Sequence, residues 1–236
     1  MSQIEFRNIT KEYEPGLKAL EDISFSIDDG EFVFLVGPSG AGKTTLLKML
    51  IREDMPSSGQ VLFNDVNIFD MPRETLPDLR RKIGVVFQDF KLLNSKNIFE
   101  NVAIALEVVN SPDEVIKNVV PNVLSMVGLA GKMFKFPKQL SGGEKQRLSI
   151  ARALAHEPDV LIADEPTGMI DPKSSGDVVE ILEKINSLGT TIIMASHDQE
   201  IVNKLKRRVI RIEDGRIVSD KKGGRYYAQT VGKLFN

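Results

Sequence analysis

Eight consecutive residues, Gly37-Pro38-Ser39-Gly40-Ala41-Gly42-Lys43-Thr44, set glycines, a lysine and a hydroxyl in the spacing G-x-x-x-x-G-K-[ST], directly after the apolar run Phe32 to Val36. The run reads as a buried strand. The glycines let the backbone turn tightly so that successive N–H groups face inward, and a helix opening near Lys43 adds the positive end of its dipole. Such a loop binds anions. With Lys43 placed to reach β- and γ-phosphates and the Thr44 hydroxyl placed to ligate Mg2+, the ligand it predicts is a nucleoside triphosphate with its metal.

A second constellation lies about a hundred residues on: Leu140-Ser141-Gly142-Gly143-Glu144, followed by Lys145-Gln146-Arg147. Ser141 and Glu144 have the S-x-x-E spacing of a capping box and open a helix from Glu144 to Ala155. That local reading leaves Gly142 and Gly143 without a reason, because glycines in a first turn cost helix stability. Bare backbone approaching an anion supplies one. The string LSGGEKQR resembles the signature motif of the ATP-binding cassette family. In that family the motif binds the γ-phosphate held by the other subunit, so the resemblance implies a second copy of the chain, arranged head to tail.

The resemblance extends to other positions. Val160-Leu161-Ile162-Ala163-Asp164-Glu165 is similar to the family's Walker B strand. Adjacent strand residues point to opposite faces, so Asp164 and Glu165 take different tasks. By resemblance, Asp164 belongs to the Mg2+ shell and Glu165 is the general base for the attacking water. His197, after the apolar run Thr191 to Met194, matches the switch histidine that contacts the γ-phosphate. Gln88, after the strand Ile83 to Phe87, matches the glutamine that touches Mg2+ and water, and Tyr13 matches the aromatic that stacks on adenine. In all, the resemblance implies nucleotide contacts at Tyr13, Gly37, Pro38, Ser39, Gly40, Ala41, Gly42, Lys43, Thr44, Thr45, Gln88, Ser141, Gly142, Gly143 and Asp171. It implies metal ligands at Thr44, Gln88 and Asp164, and catalytic roles for Lys43, Gln88, Glu165 and His197. Gly168-Met169-Ile170-Asp171 departs from the usual D-loop in its middle residues but keeps Asp171. His156, the only other histidine, matches nothing and reads as surface.

The elements that must carry these residues read as an α/β protein. Ile4 to Ile27 and Gln60 to Asn64 pattern as strands of a small antiparallel sheet, with turns at Glu14-Pro15-Gly16 and Asp28-Asp29-Gly30. Asp89 to Gln139 contains two helical patterns, Ile98 to Val109 and Pro112 to Val127. From Leu140 helix and strand alternate: Glu144 to Ala155, Val160 to Ala163, Ser174 to Leu188, Thr190 to Met194, Glu200 to Leu205, Val209 to Ile212. The expected architecture is a P-loop NTPase with a RecA-like core, a small antiparallel β-subdomain and an α-helical signature subdomain. These form a single nucleotide-binding domain over residues 1–236, with the helical subdomain at about 89–139 and a polar, partly mobile tail at about 221–236.

Composition narrows the function classes. A net charge of −2 over 236 residues makes no electrostatic case for nucleic acid, and the absence of cysteine excludes disulfides and thiol chemistry and is compatible with the cytosol. The basic run Lys204-Leu205-Lys206-Arg207-Arg208 reads as a solvated helix end. No run approaches the roughly 20 apolar residues of a membrane span, so membrane work needs a partner chain. A GTPase would show N-K-x-D, and Asn203-Lys204-Leu205-Lys206 ends in the wrong charge. A chromosome-maintenance ATPase would carry a long heptad insertion, and Asp89 to Gln139 is too short.

Within the family, the stretch Leu79 to Leu93 with Glu100-Asn101-Val102-Ala103 resembles the cell-division ATPases, which pair with an integral membrane protein and through it control cell-wall hydrolases. The ATPases of lipoprotein-release and macrolide-export transporters are the alternative. On either reading the chain is an ATPase using ATP and Mg2+ at the cytoplasmic face of the membrane, and Asp89, Phe90, Leu92 and Leu93 form the docking surface for the membrane partner.

Overall fold

The computed structural model describes residues 2–227, which divide between two compact units. One unit comprises Ser2–Ile27, Phe32–Asp70 and the stretch from Ala195 onward. Its chain runs through β1 (Ser2–Glu14), β2 (Leu17–Asp28), β3 (Phe32–Val36), α1 (Lys43–Leu50), β4 (Ser58–Phe63) and β5 (Val66–Asn67). Strands β1, β2, β4 and β5 form a sheet in the order β2-β1-β4-β5, with β1 and β4 antiparallel through pairs such as Ile4 with Phe63 and Phe6 with Val61. Alternation puts Ile4 and Phe6 on one face of β1, both buried, and Phe6 stacks on Phe25 of β2 with ring centroids 4.6 Å apart. The register shifts between Arg7 and Thr10, where Asn8 is left-handed and Ile9 is also buried. All five residues of β3 are buried, as expected of a strand covered on both faces.

The other unit comprises Asp28–Glu31 and Met71–Met194. It contains α2 (Leu76–Lys82), β6 (Ile83–Val86), α3 (Ile98–Glu107), α4 (Asp113–Met126), α5 (Gly142–Leu154), β7 (Val160–Asp164), α6 (Pro172–Ser187) and β8 (Thr191–Ala195). Strands run β8-β7-β6, with β6 and β7 parallel and in register from Ile83 with Val160 to Val86 with Ala163. Helix α3 begins at a capping box in which Asn97 accepts from the Glu100 N–H at 2.9 Å and Glu100 accepts from the Asn97 N–H at 2.7 Å. Fully buried Asn101 then ties the preceding loop to the helix. Its Oδ1 accepts from the Leu93 N–H at 2.8 Å, and its Nδ2 donates to the carbonyls of Leu93, Lys96 and Asn97.

The first unit is completed by α7 (Gln199–Leu205), β9 (Arg208–Glu213) and β10 (Arg216–Lys221), with β9 parallel to β3 and β10 antiparallel to β9. Here the chain departs from the sequence reading twice. Arg208 is no solvated helix end: α7 stops at a left-handed Lys206, and Arg208 opens β9, forks onto both carboxylate oxygens of Asp220 at 2.7 and 2.6 Å and donates to the Ser26 carbonyl. The tail expected to be mobile is partly a strand. β10 runs to Lys221, and Tyr226 is buried with its backbone held on both sides by Asn203 at 2.8 and 2.9 Å. Residues 228–236 of that tail lie outside the described residues. Among the described residues no helix is long and apolar enough to cross a membrane.

Candidate nucleotide site

Strand β3 delivers the chain into the loop from Gly37 to Gly42, and α1 begins at Lys43 with Gly42 as its N-cap. Two of the glycines are forced. Gly37 has φ +149 and a Cβ there would lie 2.0 Å from the Ile212 carbonyl oxygen of β9; Gly42 has φ +102 and its Cβ would strike Leu20 at 2.4 Å. The loop is therefore pressed against β9 at one end and β2 at the other, while Pro38, Ser39 and Gly40 are exposed between. Lys43 is buried, and its ammonium donates to the carbonyls of Gly37 at 2.8 Å and Pro38 at 3.0 Å, which holds the charge over the loop. Ala41 is buried, Thr44 exposed and Thr45 half-buried.

Tyr13, at 55% exposure, reaches α1 and the bend after it: its hydroxyl lies 3.4 Å from Thr45 Oγ1 and donates to Asp54 Oδ2 at 2.6 Å. Lys11, two residues earlier on the same face of β1, pairs with Asp54 Oδ1 at 2.5 Å and places its ammonium 4.7 Å from the ring centroid. Burial raises the Asp54 pKa, but the hydrogen bonds from Lys11 and Tyr13 outweigh it and hold the carboxyl below its ordinary value. The sequence reading found Tyr13 and passed over Lys11 and Asp54. The period of two linked Lys11 to Tyr13; nothing local linked either to Asp54. In the same unit, the Ser196 N–H donates to the Leu35 carbonyl at 3.1 Å, so exposed His197 leaves its strand beside the end of β3. Asp198 caps α7 immediately after it, accepting from Glu200 and Ile201.

The other unit gathers the remaining candidates. Asp164 is the last residue of β7, and Glu165 follows with φ +47, a left-handed conformation rarely taken by glutamate. Its carbonyl accepts from the Gly168 N–H at 3.1 Å, closing a turn, and a Cβ on Gly168 would lie 3.1 Å from Gln88 Nε2. Gln88, exposed after β6, therefore stands against the Glu165–Gly168 turn. Ser141 caps α5 with the full capping box: its Oγ accepts from the Glu144 N–H, and the Glu144 carboxylate accepts from the Ser141 N–H at 2.9 Å. Lys132 also pairs with Glu144. The hydrogen bond from Lys132, then that from the Ser141 backbone, hold the Glu144 carboxyl below the ordinary range.

The structure adds local roles at Gly142, Gly143 and Asp171 and corrects the reading of His156. Gly143 has a packing reason as well, since a Cβ would fall 2.5 Å from Ser174 Cβ, and Gly142 is nearly as close to Ile170 at 3.3 Å. Asp171 also caps α6, accepting from the Ser174 N–H at 3.0 Å. His156 is half-buried rather than a surface residue. Burial first, then the Arg81 cation, push its pKa below the ordinary histidine value, against a hydrogen bond to the backbone of Ala105.

Comparison with known proteins gives the family. Residues 20–168 match the family described as ABC transporter. The Bacillus subtilis protein named cell division ATP-binding protein FtsE is 54% identical over 94% of this chain and 98% of its own length. Proteins of the same name from Mycobacterium tuberculosis and Escherichia coli K12 are 47% and 40% identical, over 94% and 91% of this chain and 97% and 96% of their own lengths. Among solved structures, a dimeric post-hydrolysis state of the ATP-binding cassette MJ0796 bound to ADP and Pi superposes with a TM-score of 0.84 at 33% identity, covering 94% of this chain and all of that one. CbiO1 of Clostridium perfringens, part of the ABC transporter complex cbiONQ, gives 0.87 at 33% identity over 94% of this chain and 89% of its own. On these matches the chain belongs to the ABC transporter family of ATP-binding cassettes.

Proposed function

We propose that the chain is the ATP-hydrolysing subunit of a cell-division complex of the FtsE/FtsX type. The observation that carries this reading is the identity of 40–54%, along nearly the whole chain, to proteins named cell division ATP-binding protein FtsE. The same identity favours division over the lipoprotein-release and macrolide-export alternatives. In this reading the Gly37 to Thr44 loop cradles the phosphates of ATP, with Lys43 on the β- and γ-oxygens, Thr45 beside them and Tyr13 under the adenine. Thr44, Gln88 and Asp164 offer a hydroxyl, an amide oxygen and a carboxylate, an all-oxygen set that suits a hard dication. Among the described residues no three His, Cys, Asp or Glu gather into a metal site, so the chain brings a partial ligand set. Bound Mg2+ would neutralise charge on the phosphates. Glu165 takes a proton from the attacking water and His197 orients it.

Ser141, Gly142 and Gly143 serve the γ-phosphate bound by a second copy, so that a head-to-tail homodimer completes two sites, with Asp171 at the contact between copies. The dimer works at the cytoplasmic face of the membrane on an integral partner resembling FtsX, docked through Asp89, Phe90, Leu92 and Leu93. Within that stretch Asp89 and Leu93 are exposed and Phe90 and Leu92 half-buried. ATP-driven motion passed to the partner then regulates cell-wall hydrolases. The test is co-purification from membranes: an FtsX-like partner with four spans is the expected result, and a larger permease in its place contradicts the division reading.

A further inference from the structure

Helix α5 ends in a side chain that no role assigned so far uses. Arg152 extends its guanidinium to the loop after Gln88, where Nη1 donates to the Lys91 carbonyl at 2.6 Å and Nη2 to the Phe90 carbonyl at 2.9 Å. Burial lowers its pKa below the ordinary arginine value, and the guanidinium remains a cation at neutral pH. The two carbonyls it grips belong to consecutive left-handed residues, Phe90 at φ +58 and Lys91 at φ +48. Single left-handed residues are tolerated, chiefly as Gly, Asn or Asp; two in succession at a phenylalanine and a lysine are strained. Such backbone persists only where its surroundings dictate it. Locally the loop has a Lys91 N–H bond to the Asp89 carbonyl at 2.6 Å and a long one from Phe90 to Phe87 at 3.4 Å. An exposed ion pair between Lys91 and Asp89 at 2.7 Å adds little, whereas Arg152 grips the two carbonyls themselves with a planar fork that suits neighbouring oxygens as a lysine's point charge does not.

The loop matters because of what precedes it. Gln88 is two residues before Phe90 and stands against the Gly168 end of the Glu165 turn. The first turn of α5 packs through Gly142 and Gly143 on Ile170 and Ser174. One helix therefore touches the 170–174 segment at its start and the Gln88 loop at its end. We propose that Arg152 is a positioning residue: by holding the Phe90–Lys91 left-handed pair it sets Gln88 against the Glu165 turn, and so links the placement of Gln88 to the helix that carries the signature serine. The proposal rests on the reading that Gln88 and Glu165 serve hydrolysis. It predicts an effect on turnover rather than on ATP binding, because the phosphate loop belongs to the other unit and Arg152 makes its hydrogen bonds to the loop after Gln88.

The experiment compares steady-state ATP hydrolysis by the full-length chain and its Arg152→Lys, Lys91→Gly, Arg152→Lys/Lys91→Gly and Gln88→Ala variants, with thermal melts alongside. Arg152→Lys keeps the charge and loses the fork; kcat should fall on the order of tenfold with KM for ATP within about twofold. Lys91→Gly alone should hydrolyse like the parent, and in the double variant glycine, which adopts positive φ without strain, should restore most of the lost kcat. Should Arg152→Lys melt too early to assay, Arg152→Gln, which keeps one donor group at a half-buried site, takes its place in the same comparison. A kcat unchanged by loss of the fork, or a loss that glycine at position 91 does not recover, overturns the proposal while a reduced kcat in Gln88→Ala leaves the Gln88 reading standing. An unchanged kcat in Gln88→Ala overturns both.

Discussion

At the residue scale, the sequence disclosed which side chains could do chemistry but not how their backbones are set. The order of Asp164 and Glu165 assigned them to opposite faces of a strand, and the fold adds that Glu165 sits beyond the strand end in a left-handed turn. Strain of this kind, on the order of 1–3 kcal/mol, is concentrated at functional sites and leaves no mark in residue spacing. Asp54 was invisible for another reason: it lies in the bend after α1 and meets Tyr13 and Lys11 of β1 only through the tertiary fold, some forty residues away in sequence. His156 was misread because an isolated histidine carries no period. Its setting leads to a prediction about pH. Its folded pKa lies below the unfolded one, so the unfolded chain binds the proton first as pH falls. Stability is then full above about pH 6.5 and declines as pH drops through the window beneath it. Urea midpoints at pH 7.5 and 5.5 should fall further for the parent than for His156→Gln; equal falls would show that His156 does not contribute to the acid limb.

At the element scale, strong periodicity made most of the fold legible. The buried run of β3, the alternation along β1 and the apolar stripes of α3 and α4 were read within a few residues of their observed ends. The short helix α2 and the strand β10 were missed, being too short or too polar to show a pattern. The capping box of α5 was legible because a cap is a local exchange of hydrogen bonds, whereas the packing of Gly143 on Ser174 joins two helices across some thirty residues and is set by the tertiary fold. The same distinction marks Asn101, which reads as one polar residue on an apolar helix and proves to be the anchor of the loop from Leu93 to Asn97. Replacing it by alanine leaves the Leu93 N–H and three carbonyls without this partner in a buried place. Asn101→Ala should cost about 2–4 kcal/mol in denaturant unfolding, with the loss concentrated in the helical segment. A change below about 0.5 kcal/mol would mean that water replaces the amide.

At the scale of the whole molecule, the sequence pointed to a protein that works as a pair. Ser141, which opens α5, is exposed, and in the proposed function it serves the γ-phosphate bound by a second copy. In that proposal two copies related by a two-fold axis complete each other's sites, and ATP that binds the paired form more tightly shifts the equilibrium toward it by mass action. Because Glu165→Gln keeps the shape of the side chain and removes the base, it should trap that pair. The decisive measurement is light scattering of Glu165→Gln with Mg2+, with and without saturating ATP, with phosphate release followed in the same samples. The account predicts a monomer without ATP, a dimer with it, and turnover at least about a hundredfold below the parent. A protein that stays monomeric at high concentration with ATP bound, or that hydrolyses ATP at the parent's rate, would contradict it.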